Sequence, residues 1–354
     1  MAKRHFLQQC HTFNPNKHSV EGWLISEKFD NQRAFWDGGI TRGMKKAEVP
    51  WANTDKDARY KKEQFCSGLW SRYGHPIQAP DWFLDMLPYY PLDGELGCGR
   101  NQYQKTRKIV SRQTPDPDAW KDVQFRIFDS PKYSDIFFDS FIDLPNYKKE
   151  FKDIEGWLVS LGRPLIQFDP PSFESLYREL QSQTLWNNHL ILIPQYQLPA
   201  NKGDCKEFID FFLSEVLSLG GEGIVIRNPA SNYTPERVHH SYKHKPFLDS
   251  EATVVGYISG METDKGSKLL GLMGAMIVEW EGKRFKLSGF TDQERQLNKD
   301  DASIWASQNP GAKLPKEYYA KSFPPGTKVT FKYRELSDDG IPKEARFMRK
   351  KENV

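Results

Sequence analysis

Hydrophobic and polar positions in residues 20–43 predict a β-hairpin. The apolar runs Trp23-Leu24-Ile25 and Ala34-Phe35-Trp36 have the length of short strands, and Asp37-Gly38-Gly39 supplies a turn. Lys28 follows the first run, so we expect it near a strand end, where a loop can expose it.

Two helices and a strand are predicted between residues 170 and 220. Pro170-Pro171 precede a helix over residues 172–183, and residues 190–193 form the short apolar run of a buried strand. Asp204 is expected to cap a second helix that continues to about Leu219, where a glycine pair ends the helical spacing.

The pattern changes after Pro246 to short alternating strands separated by glycine-rich turns. Five or so strands in about 105 residues indicate a small Greek-key barrel, and the OB-fold is the barrel of this kind that commonly binds oligonucleotides. The predicted strands cover residues 252–258, 275–280, 284–288 and 328–336.

Composition narrows the class of protein without identifying it. The 354 residues suggest about two domains, and 38% hydrophobic with 14% aromatic residues is enough for packed cores. A net charge of +3 means that a DNA-binding face requires an uneven distribution of charge. The four cysteines are too far apart in sequence for a zinc site or a redox pair. Neither a signal peptide nor a membrane-spanning run is evident in the sequence. We therefore expect a soluble intracellular protein in a reducing compartment.

Lys28 begins the most informative polar string of the chain, in which Asp30 and Arg33 follow at fixed offsets. A lysine attacks phosphorus only as the free amine, which requires desolvation or neighbouring positive charge, and Arg33 or a metal ion could supply that charge. Asp30 would share the Lys28 face of a strand, whereas Arg33 reaches the same phosphate only if the chain turns. Taken alone, such a string is more often a solvated charge cluster at a turn.

Further stretches follow in an order that resembles the covalent nucleotidyltransferases, namely ATP-dependent DNA ligases, RNA ligases and mRNA capping enzymes. The Lys28 string is similar to the first motif of that superfamily. The later motifs are similar to Leu92-Asp93-Gly94-Glu95-Leu96 with Gly99-Arg100, Phe125-Arg126-Ile127-Phe128-Asp129, Gly221-Glu222-Gly223-Ile224-Val225-Ile226-Arg227 and Ser241-Tyr242-Lys243-His244-Lys245-Pro246. Residues 249–256, 271–275 and 288–290 resemble DNA ligases in particular. Five ordered motifs across about 220 residues are far rarer by chance than any one of them.

The resemblance implies an α+β fold. An adenylation, or nucleotidyltransferase, domain of antiparallel sheets with flanking helices would occupy residues 1–247, and an OB-fold β-barrel that binds DNA would occupy residues 248–354. It also implies a minimal ATP-dependent DNA ligase of the bacteriophage or bacterial type. Such a protein would be a cytoplasmic monomer of a bacterial or phage-infected cell, acting on nicked double-stranded DNA and not on a membrane.

In such a ligase, Lys28 would attack the α-phosphate of ATP, release pyrophosphate and become a lysyl-AMP. The AMP would pass to the 5′-phosphate at a nick, and the 3′-hydroxyl would then displace it. The resemblance implies these site residues: catalytic Lys28, Asp30, Arg33, Lys243 and Lys245; nucleotide-binding Glu27, Lys28, Arg33, Arg42, Glu95, Phe128, Glu222, Lys243 and Lys245; Mg²⁺ or Mn²⁺ ligands Glu222, Glu95 and Asp30; and DNA-binding Arg42, Arg100, Arg346, Arg349 and Lys350.

Structural roles compete with these assignments. Glu95 and Glu222 lie on apolar runs, where each carboxylate needs a cation or a hydrogen-bond donor, and Glu222 could simply pair with Arg227. Phe128 without its motif would be predicted to belong to a core. Lys243 and Lys245 alternate along a strand, and such a pair on one face is more often solvated than catalytic.

Two departures from the family pattern concern Asn31 and the C-terminus. Relatives have glycine where this chain has Asn31, and glycine often indicates a positive φ or a close backbone approach. Asparagine tolerates the left-handed region better than most residues, so we interpret Asn31 as a conservative change. The usual Arg-x-Asp-Lys motif near the C-terminus is not visible, and a basic cluster including Arg346, Arg349 and Lys350 lies there instead.

Three other functions remain open at this level. A capping guanylyltransferase is disfavoured by the missing Arg-x-Asp-Lys motif and by the DNA-ligase-like residues 251–256. An RNA ligase is disfavoured by the predicted OB-type C-terminus. A catalytically silent nucleic-acid-binding homologue is favoured only by Asn31.

Overall fold

The structure is a computed structural model, and it describes residues 6–54, 64–137, 144–147, 149–162, 166–260, 269, 272–296, 322–337 and 339–351. Contacts between residues divide the chain into two compact units, Met1–His244 and Lys245–Val354. The described residues form a mixed α+β fold, as expected. None of the helices in these ranges is long and apolar enough to cross a membrane.

The first unit contains two five-stranded sheets among its described residues. Their strands are β1 Gln9–Thr12, β2 Leu24–Lys28, β3 Gln32–Asp37, β4 Leu69–Ser71, β5 Pro91–Gly97, β6 Gln124–Asp129, β7 Leu190–Leu192, β8 Tyr196–Gln197, β9 Gly223–Arg227 and β10 Arg237–His244. The first sheet has the strand order β1-β10-β9-β2-β8, and the second has the order β4-β3-β5-β6-β7. Most neighbours are antiparallel, but β1 pairs with β10 and β6 pairs with β7 in parallel.

The two helices that the sequence predicts in the first unit end where expected, but the second of them begins earlier than predicted. The described α-helices are α1 Asp81–Leu84, α2 Tyr103–Val110, α3 Tyr133–Phe137, α4 Ile154–Ser160, α5 Phe173–Ser182 and α6 Lys202–Ser218. Ser172 caps α5, which confirms the helix predicted over residues 172–183. The cap of α6 is Asn201, whose side chain accepts two amide hydrogens, and Asp204 lies in the first turn. The prediction that Asp204 is the cap was therefore wrong.

The predicted hairpin over residues 20–43 is wrong, because β2 and β3 belong to different sheets. Strand β2 lies between β9 and β8, whereas β3 lies between β4 and β5. Both edges of β3 are hydrogen-bonded, one by β4 and the other by β5, so β3 has no edge left for β2. Its two faces are also buried, because Trp36 packs in one core cluster and its neighbour Phe35 in another. The chain consequently crosses from one sheet to the other directly after Lys28.

The second unit is a small β-barrel with its own aromatic core. The sheet order is β13-β12-β11-β14-β15, and a bridge between Ser288 and Arg346 joins the two edges. Phe285, Phe331 and Phe347 are among its buried residues. All four predicted strands are present, and β15 is an addition. The strands are β11 Leu248–Ser259, β12 Met273–Trp280, β13 Lys283–Leu287, β14 Lys328–Tyr333 and β15 Arg346–Lys350; Gly271, which begins one of the ligase-like stretches, lies outside the described residues.

Arg334 binds the chain segment that opens the second unit. Its Nη1 donates to the carbonyl oxygens of Lys245 and Pro246, and its guanidinium lies 3.5 Å from the ring centroid of Phe247. These three residues are therefore held by the barrel before β11 begins.

Candidate active site

Lys28 ends β2 at the point where the chain leaves the first sheet. Its backbone pairs with Gly223, the first residue of β9, so the residue before β9 also lies close to it. The Lys28 Nζ lies 2.8 Å from Glu222 Oε2 and 4.0 Å from Glu95 Oε1, and it donates to the Phe29 carbonyl at 3.1 Å. The side chain is only 20% exposed. The structure thus brings together the amine and two of the predicted carboxylates.

Glu222 and Glu95 reach Lys28 from the two different sheets. Glu222 precedes β9 in the first sheet, and Glu95 lies on β5 in the second sheet, opposite Arg33 in the strand register. The expected need for a cation near both carboxylates is met by Lys28. The competing ion pair between Glu222 and Arg227 is not formed, because Arg227 binds Asp129 instead.

Arg33 is bound by a buried carboxylate rather than exposed for a phosphate. Its Nε and Nη2 donate to the two oxygens of Asp93 at 2.6 and 2.5 Å, and its guanidinium lies 4.4 Å from the Phe128 ring centroid. Burial lowers the pKa of Arg33, but the Asp93 carboxylate outweighs burial and raises that pKa above its ordinary value. Tyr233 also donates to Asp93, at 2.8 Å. Sequence reasoning assigned no role to Asp93 or Tyr233.

A second buried ion pair joins the two sheets. Arg227 at the end of β9 donates to Asp129 at the end of β6, and its guanidinium lies 3.6 Å from the Phe173 ring centroid. Burial raises the pKa of Asp129, and Arg227 opposes that rise. Asp129 is also the register partner of Asp93 on β5, so the two ion pairs lie on neighbouring strands. The first pair thus links β3 to β5, which carries Glu95, and the second links β6 to β9, the strand that pairs with the strand of Lys28.

The predicted DNA contacts Arg42 and Arg100 are both paired with carboxylates. Arg100 donates to both oxygens of Glu27 at 2.7 Å, so the predicted nucleotide contact Glu27 is also engaged. Arg42 donates at 2.6 Å to two exposed carboxylates, Asp81 and Asp85. The two carboxylate partners of Arg42 are well exposed, so these pairs are weak and a phosphate can replace them at small cost.

The two predicted lysines of the last motif fall in different units. Lys243 lies on β10 and pairs with Val225, which also pairs with Ser26 on β2. Paired residues share a face of a sheet, as do residues two apart on one strand, so Lys243 and Lys28 share a face of the first sheet. Lys245 follows β10 and belongs to the second unit, as do the exposed β15 residues Arg346, Arg349 and Lys350.

Asn31 does not have the backbone conformation that the family's glycine suggests. It lies with Asp30 in the turn between β2 and β3, and it is absent from the described non-glycine residues with positive φ, which are Asn101, Glu281 and Glu344. The left-handed backbone considered for Asn31 is therefore wrong. Its amide instead packs against Gly97, where a Cβ atom would overlap it. Close packing, and not a strained turn, distinguishes this position.

The carboxylates near Lys28 fit a divalent cation of the magnesium type. Mg²⁺ is usually held by one or two carboxylates together with water and substrate phosphates, not by a closed cage of side chains. Glu222 and Glu95 supply two such carboxylates at one point. In the described ranges no three His, Cys, Asp or Glu side chains cluster as ligands, so the predicted third ligand, Asp30, does not form one group with Glu222 and Glu95.

Comparisons with known proteins identify relatives of both units. A family model described as a DNA ligase OB-like domain matches residues 266–350. The chain is 25% identical to a DNA ligase of Haemophilus influenzae over 346 residues, which are 98% of this chain and 92% of that protein. It is 30% identical to a DNA ligase of Methanococcus aeolicus over 123 residues, which are 33% of this chain and 21% of that protein.

The fold is shared with solved ligase structures. A Lig E DNA ligase superposes with a TM-score of 0.63 at 24% identity, covering 98% of each chain. The resemblance to DNA ligases that the motifs indicated is thereby confirmed, and so is the α+β fold with an OB-like barrel at the C-terminus.

Proposed function

We propose that this protein, a relative of DNA ligases over nearly its full length, is an ATP-dependent DNA ligase that seals nicks in duplex DNA. The observation that carries the proposal is the position of Lys28, whose Nζ lies between Glu222 and Glu95 at the junction of two sheets. Two carboxylates beside the amine favour its protonated form, so Lys28 would become a nucleophile for a bound nucleotide once a divalent cation neutralises those carboxylates and the partly buried site disfavours the ammonium ion.

In the proposed first step, the Lys28 Nζ forms a bond to the α-phosphorus of ATP, and the bond to pyrophosphate breaks. The amine must lose a proton, and Glu222 Oε2 lies 2.8 Å away, within reach to accept it. The AMP then passes to the 5′-phosphate of a nick, and the 3′-hydroxyl displaces it. Each step is an in-line phosphoryl transfer, so positioning and charge neutralisation contribute most of the catalysis.

Nucleotide and metal binding are assigned to residues around Lys28. Glu222 and Glu95 would hold Mg²⁺ or Mn²⁺, which neutralises phosphate charge when it is bound; the predicted third ligand, Asp30, is not grouped with them and would contact the ion only after a rearrangement of the adjacent turn. Phe128 offers a partly exposed ring for adenine, and Lys243 shares the sheet face of Lys28. Arg33 would act by holding Asp93 and the Phe128 ring more than by binding phosphate, because the guanidinium edge formed by Nε and Nη2 already donates to Asp93.

DNA binding is assigned to both units. We propose that the first unit forms the adenylation domain and that the second unit, which begins at Lys245 and not at the expected residue 248, forms the DNA-binding barrel, with the protein acting as a monomer on nicked duplex. Arg346, Arg349 and Lys350 lie exposed on β15, where they can contact backbone phosphates. Arg42 and Arg100 would contribute from the first unit after exchanging their carboxylate partners for phosphate.

Labelling with nucleotide tests the proposal. The protein is incubated with α-labelled ATP or GTP and separated on a denaturing gel. We expect label only from ATP, none with Lys28→Ala, and full labelling with the control Lys17→Ala, which removes an exposed lysine. Label from GTP would indicate a guanylyltransferase, and absence of label would indicate a silent homologue.

Substrate choice separates the two remaining ligase classes. Labelled enzyme is offered a nicked DNA duplex or a nicked RNA duplex of the same sequence. We expect sealing of DNA. Preferential sealing of RNA would overturn the assignment while preserving the Lys28 chemistry.

A further inference from the structure

Asn31 occupies space that Gly97 leaves open on the neighbouring sheet. A Cβ atom at Gly97 would overlap the amide group of Asn31, so the two positions fit only because Gly97 has no side chain. The orientation of the Asn31 amide is assigned from its hydrogen-bond partners. Its nitrogen donates to the Asp30 carbonyl at 3.1 Å, and its oxygen accepts from Arg126 Nη1 at 3.2 Å.

Arg126 is a buried cation bound by neutral groups. It is 7% exposed, and none of the described carboxylates lies within 4.0 Å of its nitrogen atoms. Besides Asn31, it donates to the Gly97 carbonyl at 3.4 Å and to the Gln124 side chain. Burial lowers the pKa of Arg126, while the more distant carboxylates of Glu27 and Glu95 oppose that shift. A buried guanidinium of this kind needs a reason to be retained, because desolvation is costly.

The guanidinium of Arg126 lies over Phe29, the residue after Lys28. The distance from the guanidinium carbon to the ring centroid is 4.6 Å. The Phe29 carbonyl accepts a hydrogen bond from the Lys28 Nζ at 3.1 Å. A continuous series of contacts therefore runs from Gly97 through Asn31, Arg126 and Phe29 to the amine.

We propose that Asn31 and Arg126 form a positioning pair that holds Phe29 and thereby orients the Lys28 amine for its attack on ATP. The pair acts in the turn where the chain crosses between the sheets, a segment that no ladder of backbone hydrogen bonds restrains. Neither residue touches the reacting atoms. The inference rests on the proposed ligase function, and it concerns the first chemical step specifically.

Single-turnover adenylylation measures the orienting effect. We expect Asn31→Gly and Arg126→Met each to slow transfer of AMP to the protein about 10-fold, since small misplacements of a nucleophile are costly. The KM for ATP should change less than about threefold, because neither side chain is assigned a contact with ATP. The double variant should be no slower than the slower single variant, because both changes break one series of contacts.

The third step supplies a control within the same protein. Sealing a nick whose 5′-phosphate already carries AMP does not use the Lys28 amine as a nucleophile. Asn31→Gly and Arg126→Met should therefore seal pre-adenylylated nicks within about twofold of the parent rate if the role is positional. A general loss of structure would slow both steps alike.

Gly97→Ala tests the packing independently of chemistry. In the parent protein the new methyl group overlaps Asn31, so we expect a lower midpoint of urea unfolding and slower adenylylation. In the Asn31→Gly background the space is open, and Gly97→Ala should have little further effect on either measurement. Equal effects of Gly97→Ala in both backgrounds would show that the overlap with Asn31 is not what limits this position, and would overturn the proposal.

The outcomes distinguish this inference from the proposed function. If the parent protein forms no AMP adduct, the ligase assignment fails. If the parent is labelled and the Asn31 and Arg126 variants adenylylate at the parent rate, or lose both chemical steps equally, the positioning role is wrong while the ligase assignment stands.

Discussion

The first unit contains two ion pairs whose carboxylates are buried, whereas each ion pair described in the second unit has a carboxylate that is at least 41% exposed. Asp93 and Asp129 have side chains that are 0% and 1% exposed, and each is bound by an arginine. In the second unit, the pair of Lys351 and Glu251 is 45% and 44% exposed. Basic residues of β15 likewise lie at the surface.

This difference separates two uses of charge. A buried pair fixes geometry, because removing one partner leaves an uncompensated charge in a low dielectric. An exposed charge contributes little to stability and is screened by salt, yet it is available to bind phosphate. Buried charge in the first unit therefore fixes strands around Lys28, the proposed nucleophile, and the barrel has exposed charge that suits binding of a polyanion.

The largest expected effect is on stability, through Asp93. Asp93→Ala leaves Arg33 buried without its carboxylate and Tyr233 without its acceptor, so the free energy of unfolding should fall by about 3 to 5 kcal/mol in urea titrations. The matched control is Glu251→Ala, which truncates the exposed partner of Lys351 and should leave the unfolding midpoint almost unchanged. Equal losses in the two variants would contradict the comparison.

A pH-dependent loss of stability is expected from Asp37, which is fully buried in the first unit. Burial raises the pKa of Asp37 from 3.8 to about 6, although Thr41 and Trp70 donate to it. The folded state then holds the proton more tightly than the unfolded state, so this group's contribution falls as pH rises from about 4 to about 6. The decrease should be about 3 kcal/mol.

Urea titrations at several pH values check this sign. Asp37→Asn should remove most of that decrease, so that its unfolding free energy changes less than the parent's over the same range. Parallel curves for the two proteins would mean that the carboxyl of Asp37 ionises alike in the folded and unfolded states.

Loss of Glu222 should affect chemistry far more than binding. Glu222→Ala removes the carboxylate that lies 2.8 Å from the Lys28 Nζ, and adenylylation should slow about 100-fold, equivalent to about 2.7 kcal/mol. Affinity for nicked duplex in a gel shift should fall less than about threefold, since a carboxylate makes few favourable contacts with phosphate. Glu207→Ala, which removes an exposed glutamate from α6, is the control for both assays. Equal losses of affinity and rate would argue against the assigned role.

The smallest expected effect comes from the exposed strand of the barrel. Arg349→Gln should weaken binding to nicked duplex several-fold, and the slope of log affinity against log salt should decrease by about 1 if the residue contacts one phosphate. Arg284→Gln is the matched control, because Arg284 is also exposed but bound by Glu279 at 2.8 Å. If Arg284→Gln changes the slope as much as Arg349→Gln does, the DNA contacts the barrel at another surface or along both β13 and β15.

Local signals in the sequence were sufficient to predict helices whose ends are marked by a capping residue or a glycine. Proline followed by serine predicted α5, and the Ser172 side chain accepts from the Ser175 amide as expected. The start of α6 was misplaced because Asn201 and Asp204 are both competent caps, and only the backbone conformation at Asn201 selects between them. Strand β15 was missed because its exposed basic residues obscure the alternation around Phe347.

The partners of the charged residues were beyond what the sequence could predict. Lys28 and Glu222 are far apart in the chain, as are Arg33 and Asp93, and a paired charge looks the same in sequence as a solvated one. Arg126 illustrates the point, since its position on a strand gave no indication that it is buried over Phe29.

By itself, the sequence determined the change from mixed structure to a barrel, and it selected Lys28, Glu95 and Glu222 as candidates that the structure brings together, because these depend on residue types at short spacings. Only the tertiary structure decided that the strands flanking Lys28 belong to different sheets, since that choice depends on β4 and β5 pairing with the two edges of β3. It also decided that Asn31 packs on Gly97 and binds Arg126, because such a fit depends on the shapes of residues brought together from a turn and two strands.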